Sequence, residues 1–262
     1  MSLETFNGVM IFIVGLVFGS FFNVVGYRLP NDMSIAFPAS HCPNCNHKLR
    51  FYELIPVLSY VFLRGKCKQC KKRISLFYPF FELLTATLFL LSYLVFGMNM
   101  KFIISITFIS VLIIISISDI KYYIIPDEVL IIGTVLIIIE LVISTVLSGT
   151  SLFKGVLMPV LNGAGSFALL YLFKVFGDLV FKKESLGGGD IKLLFFIGLT
   201  IGFDMSIVTI FIASFIALPL SIISLIKDDN NVLPFGPYLS VGAVIILLLN
   251  LNLDAIFQLF IK

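Results

Sequence analysis

Apolar residues run in long blocks along this chain, broken by short polar segments rather than alternating with them. Such blocks are not the one-sided stripes of helices in a soluble core. About 20 apolar residues suffice for a helix to cross a bilayer. The pattern predicts an all-α polytopic membrane protein with about eight transmembrane helices, near 8–27, 76–96, 102–118, 129–147, 156–181, 191–203, 205–226 and 238–253. The sixth block is short and its break from the seventh is tight, so seven crossings are the alternative count. One polar stretch, residues 28–75, is long enough for structure outside the bilayer. The expected organisation is a first transmembrane helix (1–27), a soluble domain inserted after it (28–75) and a membrane-embedded domain (76–262). The first block continues through Gly19-Ser-Phe-Phe-Asn23 to Arg28 without a small-residue cleavage site, so it reads as a retained helix rather than a signal peptide.

Composition agrees: 59% of the 262 residues are hydrophobic and 13% charged, which excludes a disordered chain, a collagen-like chain and an ordinary soluble enzyme. The net charge of +3 is small, but its placement sets an orientation. With the N-terminus outside, segments 28–75, 119–128, 182–192 and 227–237 face the cytoplasm and hold 14 of the 18 lysines and arginines. The opposite face holds Lys101, Lys154 and Lys262. No nucleic-acid partner is expected.

Segment 28–75 contains Cys42-Pro-Asn-Cys45 and Cys67-Lys-Gln-Cys70. Two CxxC pairs at this separation match a four-thiolate zinc site, each pair forming a knuckle that presents two sulfurs to one metal. Zinc would also stabilise a segment too small for a core of its own. Redox chemistry and structural disulfides are the competing readings, and a cytoplasmic location disfavours stable disulfides. His41 and His47 flank the first pair and read as surface residues, because four cysteines complete the shell. The domain is basic, which suits anionic lipid headgroups.

Two acidic motifs lie where apolar blocks meet the cytoplasmic side: Asp119-Ile-Lys-Tyr-Tyr-Ile-Ile-Pro126-Asp127 and Gly187-Gly188-Gly189-Asp190-Ile-Lys192. Ionisable groups at membrane depth are functional candidates. Two carboxylates sharing one proton can perform aspartic-protease chemistry, one as general base on water and the other polarising the scissile carbonyl. The glycines before Asp190 would let an extended peptide approach the backbone. Helix capping and an ion or proton pathway are the alternatives.

These blocks, taken in order, resemble the type IV prepilin peptidases, a family of polytopic membrane aspartic proteases. Gly19-Ser-Phe-Phe-Asn23 through Arg28-Leu-Pro30 resembles the family's exit from its first helix. The CxxC pairs follow at similar spacing, with Glu53-Leu-Ile-Pro56 and Arg64-Gly-Lys-Cys67 between them. Tyr78-Pro79-Phe-Phe-Glu82 resembles the start of the second helix, and Pro234-Phe-Gly236-Pro237 a late motif at the cytoplasmic edge. Gly26-Tyr27 is a local departure. The resemblance implies Asp119 and Asp190 as catalytic residues and a prepilin or pseudopilin as substrate, cut on the cytoplasmic side just before its hydrophobic helix. It further implies N-methylation of the new N-terminal residue with S-adenosylmethionine, with peptidase activity alone as the alternative.

A prepilin can reach such a site laterally through the lipid while its basic leader stays in the cytoplasm. Asp127 and Glu128 are the candidates for leader binding, and Gly187, Gly188, Gly189 and Lys192 complete the expected substrate site. Two readings from other classes are a membrane thiol oxidoreductase, suggested by the cysteine pairs, and an ion-coupled transporter, suggested by Lys174, Asp178 and Glu140 within spans.

Overall fold

The computed structural model describes residues 2–182, 186–227, 233–251 and 253, with backbone alone for 224–227. Parts of the expected cytoplasmic segments 182–192 and 227–237, the end of the eighth expected span and Lys262 lie outside the described residues. The described residues form helices joined by turns and loops, with no strands, and fall into two compact units, Met1–Met98 and Asn99–Lys262.

The first unit is a helical hairpin carrying the cysteine segment. Helix α1 (Leu3–Arg28) packs along α3 (Phe77–Phe96), with the short α2 (Leu58–Phe62) between them in sequence. The close approach depends on small residues: a Cβ on Gly15 would lie 2.6 Å from the Ala86 backbone, and one on Gly19 2.8 Å from Glu82 Cα. Small-residue faces of this kind let membrane helices gain dispersion contacts where lipid removes the hydrophobic drive to associate. At the end nearest the cysteine segment, Asn23 Nδ2 donates to the carbonyls of Gly19 and Tyr78. The buried Arg28 donates to the carbonyls of Ser34, Ile35 and Pro38, folding the loop after α1 back onto the helix end.

The second unit contains α4 (Met100–Tyr122), α5 (Asp127–Ser148), α6 (Met158–Phe181), α7 (Gly188–Ile201), α8 (Phe203–Lys227) and α9 (Gly236–Leu248). A π-helical turn, Phe153–Leu157, leads into α6. Its core is built on α4 and α7. Ile109, Leu112 and Ile115 of α4 and Leu193, Leu194 and Ile197 of α7 are fully buried, and Phe108 stacks on Phe196 with centroids 5.4 Å apart. Helices α5, α6, α8 and α9 surround them, and their outer faces carry exposed Ile, Leu and Phe suited to lipid. Ser166 of α6 and Ser206 of α8 share a 2.7 Å hydrogen bond beside Gly198 of α7.

Each of the eight expected blocks falls on a helix. Six of these helices are long and apolar enough to cross a membrane, and the chain is a multi-pass membrane protein. Helix α7, with 14 residues, spans about 21 Å at 1.5 Å per residue, short of a hydrocarbon core about 30 Å thick. It is tolerated because protein, not lipid, surrounds it. It also starts earlier than the apolar block, because the glycines before Asp190 form its first turn.

Candidate active site and metal centre

Helix α4 ends one turn after Asp119. Tyr123 adopts the left-handed conformation (φ 58°) and its N–H returns to the Asp119 carbonyl at 2.9 Å. Ser118 Oγ donates to the Ile124 carbonyl, closing the turn that leads to Pro126 and the start of α5. Asp190 stands in the first turn of α7, with Gly187 as its extended N-cap. The two core helices run antiparallel, so the end of one and the start of the other meet at one end of the unit. Both carboxylates are buried, Asp119 to 5% and Asp190 to 8% exposure, and close enough for their charges to interact.

Their surroundings differ. Asp119 Oδ2 accepts the backbone N–H of Gly236, the first residue of α9, at 3.0 Å. Asp190 Oδ1 is buried with no hydrogen-bond partner among the described residues. Capping accounts poorly for this pair. Asp119 lies at the C-terminal, negative end of its own helix, where a carboxylate is unfavourable. A buried, unpartnered carboxylate oxygen is costly unless it has a task.

The three glycines before Asp190 were expected as open backbone for a peptide, and the structure gives them separate roles. A Cβ on Gly188 would meet nothing within 4 Å, so it is the open position. A Cβ on Gly189 would lie 2.9 Å from Ile125 Cβ, and one on Gly187 3.1 Å from Asp190 Oδ2. Ile125 also packs against Gly236, where a Cβ would sit 3.2 Å from Ile125 Cδ1. One isoleucine thus spaces the starts of α7 and α9 around the aspartates. Of the expected leader-binding residues, Asp127 opens α5 and holds Lys192 of α7 in an exposed ion pair at 2.7 Å, while Glu128 is exposed beside it. Glu140 lies in mid-helix, donated to by Thr107 Oγ1 at 2.6 Å.

Reading the residues did not find the role of Gly236. The local signal was Gly236-Pro237, a residue without a side chain ahead of a proline suited to a helix start.

In the first unit the four cysteines converge, and their sulfurs all lie within 4.8 Å of one another. The Cys42–Cys70 and Cys45–Cys67 sulfurs are 3.9 Å apart, far beyond a disulfide bond. They approach the edge of a tetrahedron with Zn–S bonds of about 2.3 Å, which is about 3.8 Å. The two knuckles repeat one design. Cys42 N–H donates to the His47 carbonyl and Cys67 N–H to that of Lys72, both at 2.9 Å, while Asn46 and Lys71 turn with φ 55° and 59°.

The N–H of Asn44 lowers the Cys42 thiol, and the N–H of Lys72 brings Cys70 down to about 6, favouring thiolates. The N–H of His47 also favours the Cys45 thiolate, but burial and the neighbouring sulfurs push that thiol up to about 12. A cluster this tight cannot carry four negative charges without a cation, and a divalent metal fits it. His47, expected at the surface, is half-buried and meets buried Glu53 at 3.2 Å, while Glu53 Oε2 also accepts the Arg50 N–H. Burial alone would raise the Glu53 carboxyl, but those two donors hold it below the ordinary range.

Residues 13–96 match the family model described as the bacterial peptidase A24 N-terminal domain, and residues 106–222 match that of the type IV leader peptidase family. The prepilin leader peptidase/N-methyltransferase of Bacillus subtilis (strain 168) is 34% identical over 256 residues, covering 97% of each chain. The protein of the same name from Pseudomonas aeruginosa is 33% identical over 264 residues, covering 90% of this chain and 88% of its own. That of Neisseria gonorrhoeae is 32% identical over 271 residues, covering 91% and 89%. No solved structure matches the chain.

Proposed function

The chain belongs to the type IV leader peptidase family, and on that premise we propose that it removes the short basic leader from prepilins or pseudopilins and N-methylates the new N-terminal residue. The observation that carries the peptidase reading is the buried pair Asp119 and Asp190, set where two core helices meet. Buried carboxylates within reach of each other's charge share a single proton, which supplies a base and an acid together. In this reading one carboxylate takes a proton from water as the oxygen bonds to the scissile carbonyl carbon, while the other protonates the carbonyl oxygen. The diol then collapses as the base returns its proton to the leaving amide nitrogen.

The charge bias of the sequence supports a cytoplasmic position for the aspartates and for the cysteine segment, in an inner or cytoplasmic membrane. The division into a first helix (1–27), a cysteine domain (28–75) and a peptidase domain (76–262) is a division of labour in this reading. Zinc would be held by Cys42, Cys45, Cys67 and Cys70, joining the knuckles as a structural ion. S-adenosylmethionine supplies the methyl group when bound, and residues 28–75 are the segment we assign to that activity. Asp127 and Glu128 would meet the basic leader, with Lys192 holding Asp127 in place until it arrives. Gly187, Gly188 and Gly189 border the bound peptide, with Gly188 the position open to it.

The test is direct. Purified protein in liposomes is given a prepilin with its leader, and mass spectrometry follows the substrate N-terminus with and without S-adenosylmethionine. Loss of the leader with wild type and not with Asp119→Asn or Asp190→Asn is the expected result, with an added methyl mass when the donor is present. Normal cleavage by either variant overturns the assignment of the pair.

A further inference from the structure

Gly236 has no part in the chemistry described so far, yet it touches a reacting group. Its N–H donates to Asp119 Oδ2 at 3.0 Å across 117 residues of sequence, and a Cβ there would lie 2.7 Å from the same oxygen. The donor is the first residue of a 13-residue helix, α9, so the helix dipole adds to the hydrogen bond. Both effects favour negative charge on Asp119, which otherwise sits at the unfavourable end of α4. The second carboxylate also stands in the first turn of a helix, α7, so the dipoles of α7 and α9 offset each other across the pair, and the difference lies in the hydrogen bond: Asp190 Oδ1 is buried with no partner among the described residues. An unpartnered buried oxygen is tolerated far better on a neutral acid than on an anion. The shared proton is therefore not shared evenly.

We propose that Gly236 is a positioning residue that makes Asp119 the ionised base and leaves Asp190 as the protonated acid. The proposal rests on the reading of the two aspartates as the reacting pair. Asp119 takes a proton from the attacking water, whose oxygen bonds to the carbonyl carbon, and Asp190 gives its proton to the carbonyl oxygen. On collapse Asp119 gives its proton to the amide nitrogen as the C–N bond breaks, and Asp190 recovers one from a diol hydroxyl. Water is consumed and both groups return to their starting states. The absence of a side chain at 236 is part of the device, because any Cβ would push Asp119 off the N–H.

Among the described residues, the charged and titratable groups on the helix ends around Asp119 are Lys121, Tyr122 and Tyr123 at the end of α4, Asp127 and Glu128 of α5, Asp190 and Lys192 of α7, and Tyr238 of α9. Asp127 and Lys192 neutralise each other in an exposed pair. Asp190 is buried beside Asp119, so the pH profile reports that pair as two coupled steps.

The experiment is the pH profile of kcat/KM for prepilin cleavage in liposomes, for wild type, Gly236→Ala and a backbone amide-to-ester exchange at 236. The ester deletes the N–H and adds no atoms, so it separates the hydrogen bond from crowding. Losing a hydrogen bond to a charged group should raise the acid limb by about one pH unit and leave the alkaline limb in place. Activity of the ester form at pH values below that limb should fall about tenfold and recover above it. Gly236→Ala should show the same displacement with a lower maximum. An acid limb that stays in place in the ester form, whether activity is unchanged or lowered equally at every pH, overturns the proposal. If Gly236→Ala does not fold, the ester form decides alone. Full cleavage by Asp119→Asn or Asp190→Asn would instead overturn the reading of the pair.

Discussion

The buried carboxylate of Glu82, one turn into α3, accepts the N–H of Val57 at 2.7 Å. Val57 is the centre of a tight turn in which Leu58 N–H returns to the Pro56 carbonyl, and its φ is +60°. A β-branched residue in that region, in a γ-turn of this hand, is strained. The cysteine segment is thus held to the hairpin by a contact that also holds a strained turn. Glu82→Ala should leave the Val57 N–H without its partner, cost about 1–3 kcal/mol locally and expose residues 56–63 to hydrogen exchange. Glu82→Gln keeps an acceptor and should cost less. Val57→Gly should be neutral or stabilising by up to about 1 kcal/mol, because glycine relieves the strain. Unchanged exchange in Glu82→Ala would show that the contact is incidental.

The glycine run should divide sharply under substitution. Gly188→Ala meets no protein atom within 4 Å, so kcat should stay within about twofold of wild type and any loss should appear in KM, through the peptide it borders. Gly189→Ala drives a methyl into Ile125 and displaces the first turn of α7 that carries Asp190, lowering kcat by about ten- to a hundredfold. Ile125→Gly, which removes the Cβ at 2.9 Å together with Cγ1 and Cδ1, should restore part of that loss. Cleavage assays on the three variants check it, and equal effects at 188 and 189 would contradict the packing argument.

Metal should be present at about one zinc per chain, as a single tetrathiolate site requires. Chelation or Cys42→Ser should open residues 28–75 to proteolysis while α4 to α9 stay protected, since structural zinc supplies folding energy where it binds. Methylation should fall further than cleavage, because the aspartate pair lies in the other unit. Equal loss of both activities would place the metal's influence on the peptidase site.

Charge at the edge of the site should tune affinity and not chemistry. Asp127→Lys or Glu128→Lys should raise KM for a prepilin with its basic leader and leave kcat unchanged. Lys192→Met frees Asp127 and should lower KM. Exposed pairs contribute at most about 1 kcal/mol, so each change should stay near fivefold and shrink in high salt. A leader with its basic residues neutralised should lose the effect, and KM values for both substrates provide the comparison.

The features that read directly from the sequence are those whose signal is local. Asp119 and Asp190 each stand at the edge of an apolar block, and four cysteines in two CxxC pairs announce their own geometry. The helices were readable from block length, though α7 begins inside the glycine run, because first-turn N–H groups need no intrahelical partner and a low propensity costs little there. What stayed hidden was made by approach in space. The bond from Gly236 to Asp119 uses a backbone amide, which every residue but proline carries, so no side chain marks it. Nothing in the sequence ties Glu82 to Val57, because that partner is likewise a backbone amide. His47 looked like surface until Glu53 came back to meet it.

The distance in sequence between Gly236 and Asp119 has a bearing on how the enzyme is made. A growing chain that has laid down α1 to α8 already carries both aspartates, yet α9 and its leading amide are still to come. On the reading developed above, the residue that sets the charge state of the pair is translated after both of its members. Until α9 docks, the enzyme would hold both carboxylates with neither one yet chosen as the base.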